Sequence, residues 1–259
     1  MAPRIHPTCV VDPHAELAAD VELGPYVVLG RGVQVGAGTR LLAHAVVLGP
    51  TVVGEGNLVH PFAVLGGESQ HKRPKAPGEG RLVIGDRNVF REHVTVHRGS
   101  SGSTTEIAHG NLFMVGAHVA HDARIGSFCT LANAVQLAGH ARVADHATFG
   151  GLSGLAQFVA VGESAFVAAG AMCEVDVPPF VIVQGDRARV RGLNLVGLRR
   201  RGVPEASIDR LTAAFRLLFG RKMPRAEALS RVERGDPLVD ALVAALSSPS
   251  SRSSPSSPK

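Results

Sequence analysis

An apolar residue recurs at every sixth position between Ile5 and Cys173, and this repeat restricts the fold more than any other feature of the sequence. The register is interrupted twice and comprises Ile5, Val11, Leu17, Leu23, Leu29, Val35, Leu41, Val47, Val53, Val59 and Leu65, then Ile84, Phe90 and Val96, and then Ile107, Phe113, Val119, Ile125, Leu131, Leu137, Val143, Phe149, Leu155, Val161, Val167 and Cys173. Because hydrophobic residues make up 45% of the chain, eleven consecutive matches arise by chance with a probability on the order of one in several thousand. The repeat is therefore a property of the fold.

A six-residue period is typical of neither an α-helix nor a β-hairpin sheet, whose periods are about 3.6 and about 2 residues. It is typical of a hexapeptide parallel β-helix, in which each hexad supplies a short strand and a turn. Three hexads close one triangular coil with the apolar residue pointing inward, so the 26 hexads predict between eight and nine coils. At roughly 4.8 Å per coil the prism is about 40 Å long. We therefore expect an all-β solenoid with a small α-helical C-terminal region.

The repeat also divides the chain into regions. Residues 1–185 are predicted to form the hexapeptide-repeat β-helix, with projecting loops at the two interruptions, 66–83 and 98–106. Both interruptions are rich in glycine, serine and charged residues, and loops that leave a rigid scaffold are frequent places for binding. Residues 186–246 are predicted to form a helical domain, and the Ser/Pro-rich segment 247–259 is expected to be a disordered tail.

The helical prediction rests on two segments that follow the end of the repeat. The first, "PEASIDRLTAAFRLLFG", begins near Pro204 and ends at Gly220, because proline is favoured at a helix start and glycine at its C-cap. Its apolar stripe consists of Ile208, Leu211, Phe215 and Leu218. The same reasoning predicts a second helix around residues 237–246.

Positive charge is concentrated in the C-terminal region. From Asp186 onward the chain has 15 Lys and Arg residues against 7 Asp and Glu residues, a balance of +8, whereas residues 1–185 have a balance of −3. This asymmetry predicts an anionic partner or a phosphate-bearing ligand near the C-terminal region, although a solvated helical surface produces the same pattern. Aromatic residues are only 4% of the chain and no nucleic-acid-binding motif is recognisable, which disfavours a nucleic-acid partner.

The cysteine pattern and the hydropathy indicate the compartment. Cys9, Cys129 and Cys173 are scattered and lack the spacing of a metal site, so they are expected to be buried thiols in a reducing compartment. The sequence has no apolar run of about 18 residues that a membrane-spanning helix needs. The N-terminal segment "MAPRIHPTCV" lacks the apolar core of a signal peptide. We therefore expect a cytoplasmic protein without stable membrane insertion.

Three histidines fall on neighbouring coils of the predicted solenoid. His118 and His121 occur in "AHVAHDARIG", and His140 follows His121 by close to the length of one three-hexad coil. Histidine is costly to bury in an aliphatic core without hydrogen-bond partners, so the three are expected to line one edge of the prism. Two interpretations fit them: a base oriented by the adjacent Asp122, or a zinc site built from three histidines on adjacent coils.

Several further segments together resemble one family. They are "IGDRNVFREHVTVHRG" (84–99), "AHVAHDARIG" (117–126), "LANAVQLAGHARV" (131–143), "DVPPFVIVQG" (176–185) and "GLNLVGLRRRG" (192–202). With the hexads and the helical region, they resemble the UDP-N-acetylglucosamine O-acyltransferases, which use acyl carrier protein (ACP) as donor and open lipid A biosynthesis. The resemblance covers nearly all of the chain before its serine-rich end.

This resemblance implies a left-handed β-helix and a homotrimer with active sites in grooves between subunits. It also implies an enzyme that moves a (3-hydroxy)acyl chain from ACP to the 3-position of UDP-N-acetylglucosamine, with no cofactor and no metal. A sugar hydroxyl is a poor nucleophile, so a base must take its proton during the attack. By resemblance His121 is that base, Asp122 orients it, and the backbone N–H of Gly139 stabilises the oxyanion.

The resemblance also assigns eight residues to substrate binding: His118, His140, Gln157, Gln70, Arg73, Asn194, Arg200 and Arg201. It places the two histidines on the acyl and sugar sides of the groove and the C-terminal residues near the uridine and the phosphates. Arginine suits a diphosphate because its planar group forms paired charge-assisted hydrogen bonds. Ala169 corresponds to the position that limits the length of the acyl chain, and its methyl group predicts a medium or slightly shortened chain.

The sequence departs from the family pattern at three positions on the acceptor side. Ala156 replaces a histidine, His71 replaces an aspartate in the first loop, and Val196 replaces a glutamate near the uracil. The His–Asp pair and its glycine are intact, so the resemblance supports the acyl-transfer chemistry more directly than the acceptor. The alternatives are a divergent paralogue that acylates a related UDP-sugar such as the 3-amino analogue, a coenzyme-A-dependent acetyltransferase, and a non-catalytic hexapeptide protein.

Overall fold

The structure, a computed structural model, describes residues 2–70, 79–220 and 223–248. Twenty-six short strands lie among the described residues before position 174, and each contains one residue of the six-residue register. In chain order they are β1 (Arg4–Ile5), β2 (Val10–Val11), β3 (Glu16–Leu17), β4 (Glu22–Leu23), β5 (Val28–Leu29), β6 (Val33–Val35), β7 (Arg40–Leu41), β8 (Val46–Val47), β9 (Thr51–Val53), β10 (Leu58–Val59), β11 (Val64–Gly67), β12 (Arg81–Ile84), β13 (Val89–Phe90), β14 (Thr95–His97), β15 (Thr104–Ile107), β16 (Leu112–Phe113), β17 (His118–Val119), β18 (Arg124–Ile125), β19 (Thr130–Leu131), β20 (Gln136–Leu137), β21 (Arg142–Val143), β22 (Thr148–Phe149), β23 (Gly154–Leu155), β24 (Ala160–Val161), β25 (Phe166–Val167) and β26 (Met172–Cys173). Each predicted hexad therefore corresponds to one strand.

Each strand from β1 to β23 pairs in parallel with the strand three places further along the chain, so that three strands make one coil. Glu22 lies beside Arg4, and Gln136 lies beside His118, each pair being related by one coil. The first sheet runs from β1 to β25 in steps of three strands, the second from β2 to β26, and the third from β3 to β24. The architecture is a triangular parallel β-helix, as the hexads predict.

The register residues point into the prism and form its core. From Leu23 to Cys173 every one of them is buried. Ile5, in the first coil, is 46% exposed, because the open end of a stack has a neighbouring coil on one side only. Burying a Val, Leu or Ile side chain contributes roughly 1.5–3 kcal/mol, so these stacked apolar columns give a rigid frame for the edges of the prism.

The turns between sheets use residues with positive φ. At one edge, in three successive coils, this residue is Asp122 (φ +64°), His140 (φ +61°) and Phe158 (φ +66°). A non-glycine residue in the left-handed region costs roughly 1–2 kcal/mol, and hydrogen bonds between coils hold it there. The backbone N–H of His140, for example, donates to the carbonyl oxygen of His121 at 3.0 Å. The stacking of coils therefore aligns these side chains along the edge.

Both interruptions of the repeat lie at this same edge, between the second and third sheets. Residues 68–80 connect β11 to β12, and residues 98–103 connect β14 to β15. The next three coils pass the edge at residues 120–123, 138–141 and 156–159. We call the edge formed by these five segments the loop corner, and the segment 98–103 the second loop. Both interruptions therefore begin and end at the edge of the prism that carries the candidate histidines.

The loops are shorter than the predicted ranges 66–83 and 98–106. β12 begins at Arg81 and β15 begins at Thr104, and the two strands pair with each other from their first residues to Ile84 and Ile107. The predicted ends were wrong because strand pairing extends to residues on either side of the inward position. The six-residue register identifies only the inward-facing residue of each strand, so it underestimates the length of the strands.

The solenoid ends in a hairpin and not at residue 185, where the prediction placed the boundary. β27 (Val181–Gln184) pairs in parallel with β25, and β28 (Arg189–Leu193) pairs with β27 in the antiparallel direction. The predicted boundary therefore separates the two strands of this hairpin. An antiparallel return strand leaves no six-residue period, and the arginines of β28 made it resemble the basic helical region.

In the described part of the chain after the hairpin there are four helices: α1 (Leu195–Arg200), α2 (Glu205–Phe219), α3 (Arg225–Arg231) and α4 (Pro237–Ser247). The two predicted helices correspond to α2 and α4, whereas α1 and α3 are too short for an amphipathic stripe to reveal them. The apolar faces of the helices pack with Phe180 into a second core. Among the described residues, no helix has the length and apolar character of a membrane span. The predicted tail lies outside the described residues from position 249 onward.

Candidate active site

The His–Asp pair lies at the loop corner, in the turn between β17 and β18. His121 is followed one coil later by Gly139 and two coils later by Gln157. Asp122 is followed in the same way by His140. His121 and His140 therefore line the same edge one coil apart, as predicted, and the residue exactly one coil after His121 is Gly139.

Hydrogen bonds engage both oxygens of the Asp122 carboxylate. Oδ2 lies 2.6 Å from Nδ1 of His121 and accepts from the Ser100 hydroxyl at 2.7 Å. Oδ1 accepts from the backbone N–H of Ser100 at 3.1 Å and from the Ser103 hydroxyl. Burial raises the pKa of this carboxyl, but hydrogen bonds from Ser103, Ser100 and His121 outweigh burial and lower its pKa to about 2. Asp122 is therefore ionised at neutral pH.

The His121 ring packs directly against the backbone of Gly139. A Cβ atom at position 139 would lie 2.8 Å from Nε2 and 2.7 Å from Cε1 of the ring. His121 is 7% exposed, and the N–H of Gly139 has no acceptor among the described residues. Because Nδ1 faces the carboxylate, Nε2 is the atom that is oriented to accept a proton. A buried base beside a backbone donor that no described residue engages has the geometry that addition to a carbonyl requires.

A groove of about 610 Å³ runs along the second sheet at the loop corner. It brings together five of the predicted site residues: Gln70, His118, His121, Gly139 and Gln157. His140 adjoins this set, since its Nε2 lies 3.5 Å from Oδ2 of Asp122 and its ring stacks on Phe158 with centroids 4.6 Å apart. The groove therefore unites the base with residues from four separate segments of the chain.

His97 is a groove residue to which the sequence analysis gave no role. Its ring meets that of His118 edge-on with centroids 4.7 Å apart, and its Nδ1 is buried without a hydrogen-bond partner in the described structure. Burial and the neighbouring His121 lower its pKa. The signal was present in "VTVHRG", because His97 follows the inward Val96 on β14, the strand that pairs with β17.

His118 is held in the neutral form by its surroundings. Burial, and to a smaller extent the neighbouring His97, lower its pKa to about 4, and its Nδ1 lies 2.8 Å from the Thr95 hydroxyl. In the unfolded chain a histidine has a pKa of about 6.5. Between about pH 6.5 and pH 4 the unfolded chain therefore binds a proton at this position that the folded chain does not, so folding loses stability as the pH falls through this range.

The substitution His118→Gln is expected to reduce this acid sensitivity. Urea unfolding followed by circular dichroism at about pH 7 and about pH 5 should show a smaller fall in the free energy of unfolding for the variant than for the wild type. His14→Gln is the control, because His14 lies exposed in the first coil. An equally steep fall in the His118→Gln protein would contradict the burial of a neutral imidazole.

The zinc interpretation meets a geometric obstacle. His121, Asp122 and His140 each bring one potential ligand atom within 4.8 Å of the others. However, Nδ1 of His121 and Oδ2 of Asp122 are only 2.6 Å apart, whereas two ligands of tetrahedral zinc lie about 3.3 Å apart when each bond is about 2.0 Å. Nδ1 of His118, the third histidine of that interpretation, lies 2.8 Å from the Thr95 hydroxyl, so only its Nε2 would be left to bind zinc. The geometry supports an oriented base.

Asn194 and Arg201 lie at another corner of the single chain, between the third and first sheets. The Asn194 side chain caps α1, with Oδ1 accepting from the Gly197 N–H at 3.0 Å and Nδ2 donating to the Ser164 carbonyl at 2.9 Å. Arg201 pairs with Glu163 at 2.7 Å. Both side chains therefore have structural partners at this corner, and the chain alone does not bring them to the groove.

Of the remaining predicted positions, Ala156 adjoins the groove, and the others lie away from it or outside the described residues. Ala169 is exposed in the turn between β25 and β26, which joins the first and second sheets. Arg200 and Val196 are exposed on α1. Ala156 is at the loop corner, one residue before Gln157. Arg73 lies in the segment outside the described residues, as does position 71. Residues at different corners of a triangular prism are far apart. The sequence pattern did not indicate which corner α1 would contact, so it could not show whether these residues lie near His121.

Comparison with known proteins identifies the family and the hand of the solenoid. Residues 176–254 match the family model described as UDP N-acetylglucosamine O-acyltransferase, domain 2. A relative from Stenotrophomonas maltophilia (strain R551-3), named acyl-[acyl-carrier-protein]--UDP-N-acetylglucosamine O-acyltransferase, is 44% identical over 249 residues, which cover 93% of this chain and 94% of the relative.

Two solved structures agree with this match. LpxA from Acinetobacter baumannii is 36% identical with a TM-score of 0.87, over 93% of this chain and 96% of that chain. The UDP-N-acetylglucosamine O-acyltransferase from Moraxella catarrhalis RH4 is 35% identical with a TM-score of 0.86, over the same shares of the two chains. The solenoid is thus a left-handed parallel β-helix, as expected. With this fold, this groove and these relatives, the chain belongs to the UDP-N-acetylglucosamine O-acyltransferase family.

Proposed function

We propose that this protein transfers an acyl chain from acyl-ACP to the 3-hydroxyl of UDP-N-acetylglucosamine, the first step of lipid A biosynthesis. The observation that carries the proposal is the buried His121–Asp122 pair set against Gly139 in an open groove, in a chain of this family. The name of the Stenotrophomonas relative specifies acyl-ACP as the donor and O-acylation as the reaction. This favours a hydroxyl acceptor over the 3-amino analogue.

The geometry supports a general-base mechanism. Nε2 of His121 takes the proton of the sugar 3-hydroxyl while the hydroxyl oxygen attacks the thioester carbon of acyl-ACP. Asp122 keeps a proton on Nδ1 and stabilises the imidazolium that forms. The N–H of Gly139 donates to the oxyanion of the tetrahedral intermediate. When the intermediate collapses, the carbon–sulfur bond breaks, and His121 returns its proton to the departing thiolate of ACP.

Replacing Gly139 with alanine is expected to lower kcat by about 100-fold, since a displacement of about 1 Å in a catalytic group costs that much. The added carbon would lie 2.8 Å from Nε2 of His121 and would displace the ring from Asp122. Steady-state transfer from acyl-ACP measures the effect. Gly192→Ala is the matched control, because a Cβ at position 192 meets no atom within 4 Å. Wild-type kcat in the Gly139→Ala protein would show that the close contact is unnecessary.

We also propose that the active sites lie between the subunits of a homotrimer. Asn194, Arg201 and Ala169 lie at other corners than His121 in the single chain, so a neighbouring copy is needed to bring such residues to the groove. In that arrangement Arg200 and Arg201 pair with the diphosphate and Ala169 limits the length of the acyl chain. Light scattering is expected to give the mass of three chains, and a fully active monomer would contradict the arrangement.

We infer a cytoplasmic location from the cysteines. Cys9, Cys129 and Cys173 are free thiols in the structure, which is the normal state in a reducing compartment. Burial raises the pKa of Cys129 to about 12 and that of Cys173 to about 11. These two thiols are therefore protonated and unreactive side chains of the core.

Mass spectrometry of the product made from UDP-N-acetylglucosamine and a series of acyl-ACPs tests the proposed function. The expected product carries one O-linked acyl chain of medium length, and turnover that rises for the longest chains at the expense of shorter ones would contradict the role of Ala169.

Acyl-coenzyme A of the same length is the matched donor control, and equal rates from it would indicate a coenzyme-A-dependent enzyme. Transfer to the 3-amino analogue alone would indicate the divergent paralogue. Absence of transfer to any UDP-sugar would favour the non-catalytic alternative.

A further inference from the structure

The second loop supplies three hydrogen-bond donors to the Asp122 carboxylate. Ser100 donates from its backbone N–H to Oδ1 at 3.1 Å and from its hydroxyl to Oδ2 at 2.7 Å. Ser103 donates its hydroxyl to Oδ1. These bonds join the loop to the next coil of the solenoid. At this interruption the second loop, which replaces the short turn of a regular hexad, therefore places two serines next to the Asp122 carboxylate.

The donors compensate for a buried negative charge. The Asp122 side chain is 5% exposed, and burying a carboxylate without donors is very costly. The Ser103 hydroxyl has one proton and two acceptors in reach, Oδ1 of Asp122 and the carbonyl oxygen of Ser100. The charged oxygen is the stronger acceptor. The Ser103 proton is therefore expected to remain with the carboxylate.

The backbone of Asp122 is also held by a hydrogen bond. Its N–H donates to the buried Thr105 hydroxyl at 2.8 Å, while φ at Asp122 is +64°. The carboxylate has few remaining degrees of freedom, because its main chain is fixed by Thr105 and its two oxygens by the serines. Its Oδ2 is consequently presented to Nδ1 of His121 at 2.6 Å.

We propose that Ser100 and Ser103 are positioning residues of the acyl transfer, which hold the Asp122 carboxylate so that it keeps the proton of His121 on Nδ1 and leaves Nε2 as the base. This inference rests on the proposed function. The groove is lined by other residues, so the serines act through Asp122 and not through contacts with substrate. Their removal should therefore change kcat and leave KM nearly unaltered.

The variants Ser100→Ala and Ser103→Ala are each expected to lower kcat by about tenfold, the factor that corresponds to losing one hydrogen bond to a charged group. The KM for UDP-N-acetylglucosamine should stay within about twofold of the wild-type value. Ser100→Thr and Ser103→Thr keep the hydroxyl and should restore most of kcat. Ser127→Ala is the matched control, because the Ser127 hydroxyl accepts from the His109 N–H at a different corner.

A double-mutant cycle separates positioning from simple support of the loop. In an Asp122→Ala background the serine substitutions should have no further effect on kcat, because the group that they position is absent. Equal losses with and without Asp122 would overturn the inference, as would wild-type kcat in both folded alanine variants. A wild-type protein that transfers no acyl chain would instead refute the proposed function itself. The two failures are distinguishable because the first requires an active wild-type enzyme.

Discussion

Replacing His121 with alanine is expected to lower kcat for acyl transfer by about 10³-fold, within the range of roughly 10²- to 10⁴-fold that general acid–base catalysis contributes. The variant loses the base, and with it the group that returns a proton to the leaving thiolate. It also removes the 2.6 Å contact between His121 and the Asp122 carboxylate, which keeps its contacts with the two serines and with His140. Binding of the sugar nucleotide, which uses other groups of the groove, should be affected far less.

Single-turnover and steady-state transfer from acyl-ACP measure this loss, with isothermal calorimetry for binding of UDP-N-acetylglucosamine. The matched control is His14→Ala, because His14 forms a similar pair with Asp12 at 3.0 Å but is exposed. That pair lies at the same edge, five coils toward the N-terminal end. A His121→Ala protein that retained a tenth of wild-type kcat would exclude His121 as the base.

The largest effect on stability is expected for Phe113→Ala. Phe113 is fully buried in β16, and its ring stacks on that of Phe90 with centroids 4.8 Å apart. Removing a buried phenyl group costs roughly 3–5 kcal/mol, because the lost transfer free energy adds to the cost of the cavity. The loss should appear in the free energy of unfolding measured by urea titration at matched protein concentrations.

The smaller substitution Phe113→Leu tests whether the cavity causes this loss. It keeps an apolar side chain in the column and is expected to cost about 1–2 kcal/mol. Similar losses for the two variants would indicate that the stacked rings matter more than the filled volume. A loss below about 1 kcal/mol for Phe113→Ala would contradict the tight packing of the column.

The fold of residues 1–185 could be predicted because the repeat leaves little choice. Each inward residue requires an apolar side chain and each turn a permissive residue, so that local pattern and tertiary structure coincide at every hexad. The predicted domain boundary and helices were incomplete in the region where the six-residue pattern ends. β28 lies antiparallel at the end of the stack, and α1 and α3 have six and seven residues, too few to show a period.

The candidate site was predictable in part. His121 and Asp122 were found because adjacent residues of complementary chemistry remain adjacent in any fold. Gly139 was assigned by the family resemblance, and the structure places it one coil after His121. Ser100 and Ser103 had no such relation to the pair, because their contacts depend on how the second loop turns back. The roles assigned to the predicted site residues stay predictions until the variants are measured.

By itself the sequence determined the solenoid, since a strict apolar period of six can be buried at every repeat in only a few ways. It also determined the identity of the His–Asp pair, which is a local feature. Only the tertiary structure decided that both loops leave the prism at the corner that carries His121, and that Asn194 and Arg201 lie at another corner. The physical reason is that a period specifies which residues face inward, whereas contacts across a corner depend on the paths of loops and helices that have no period.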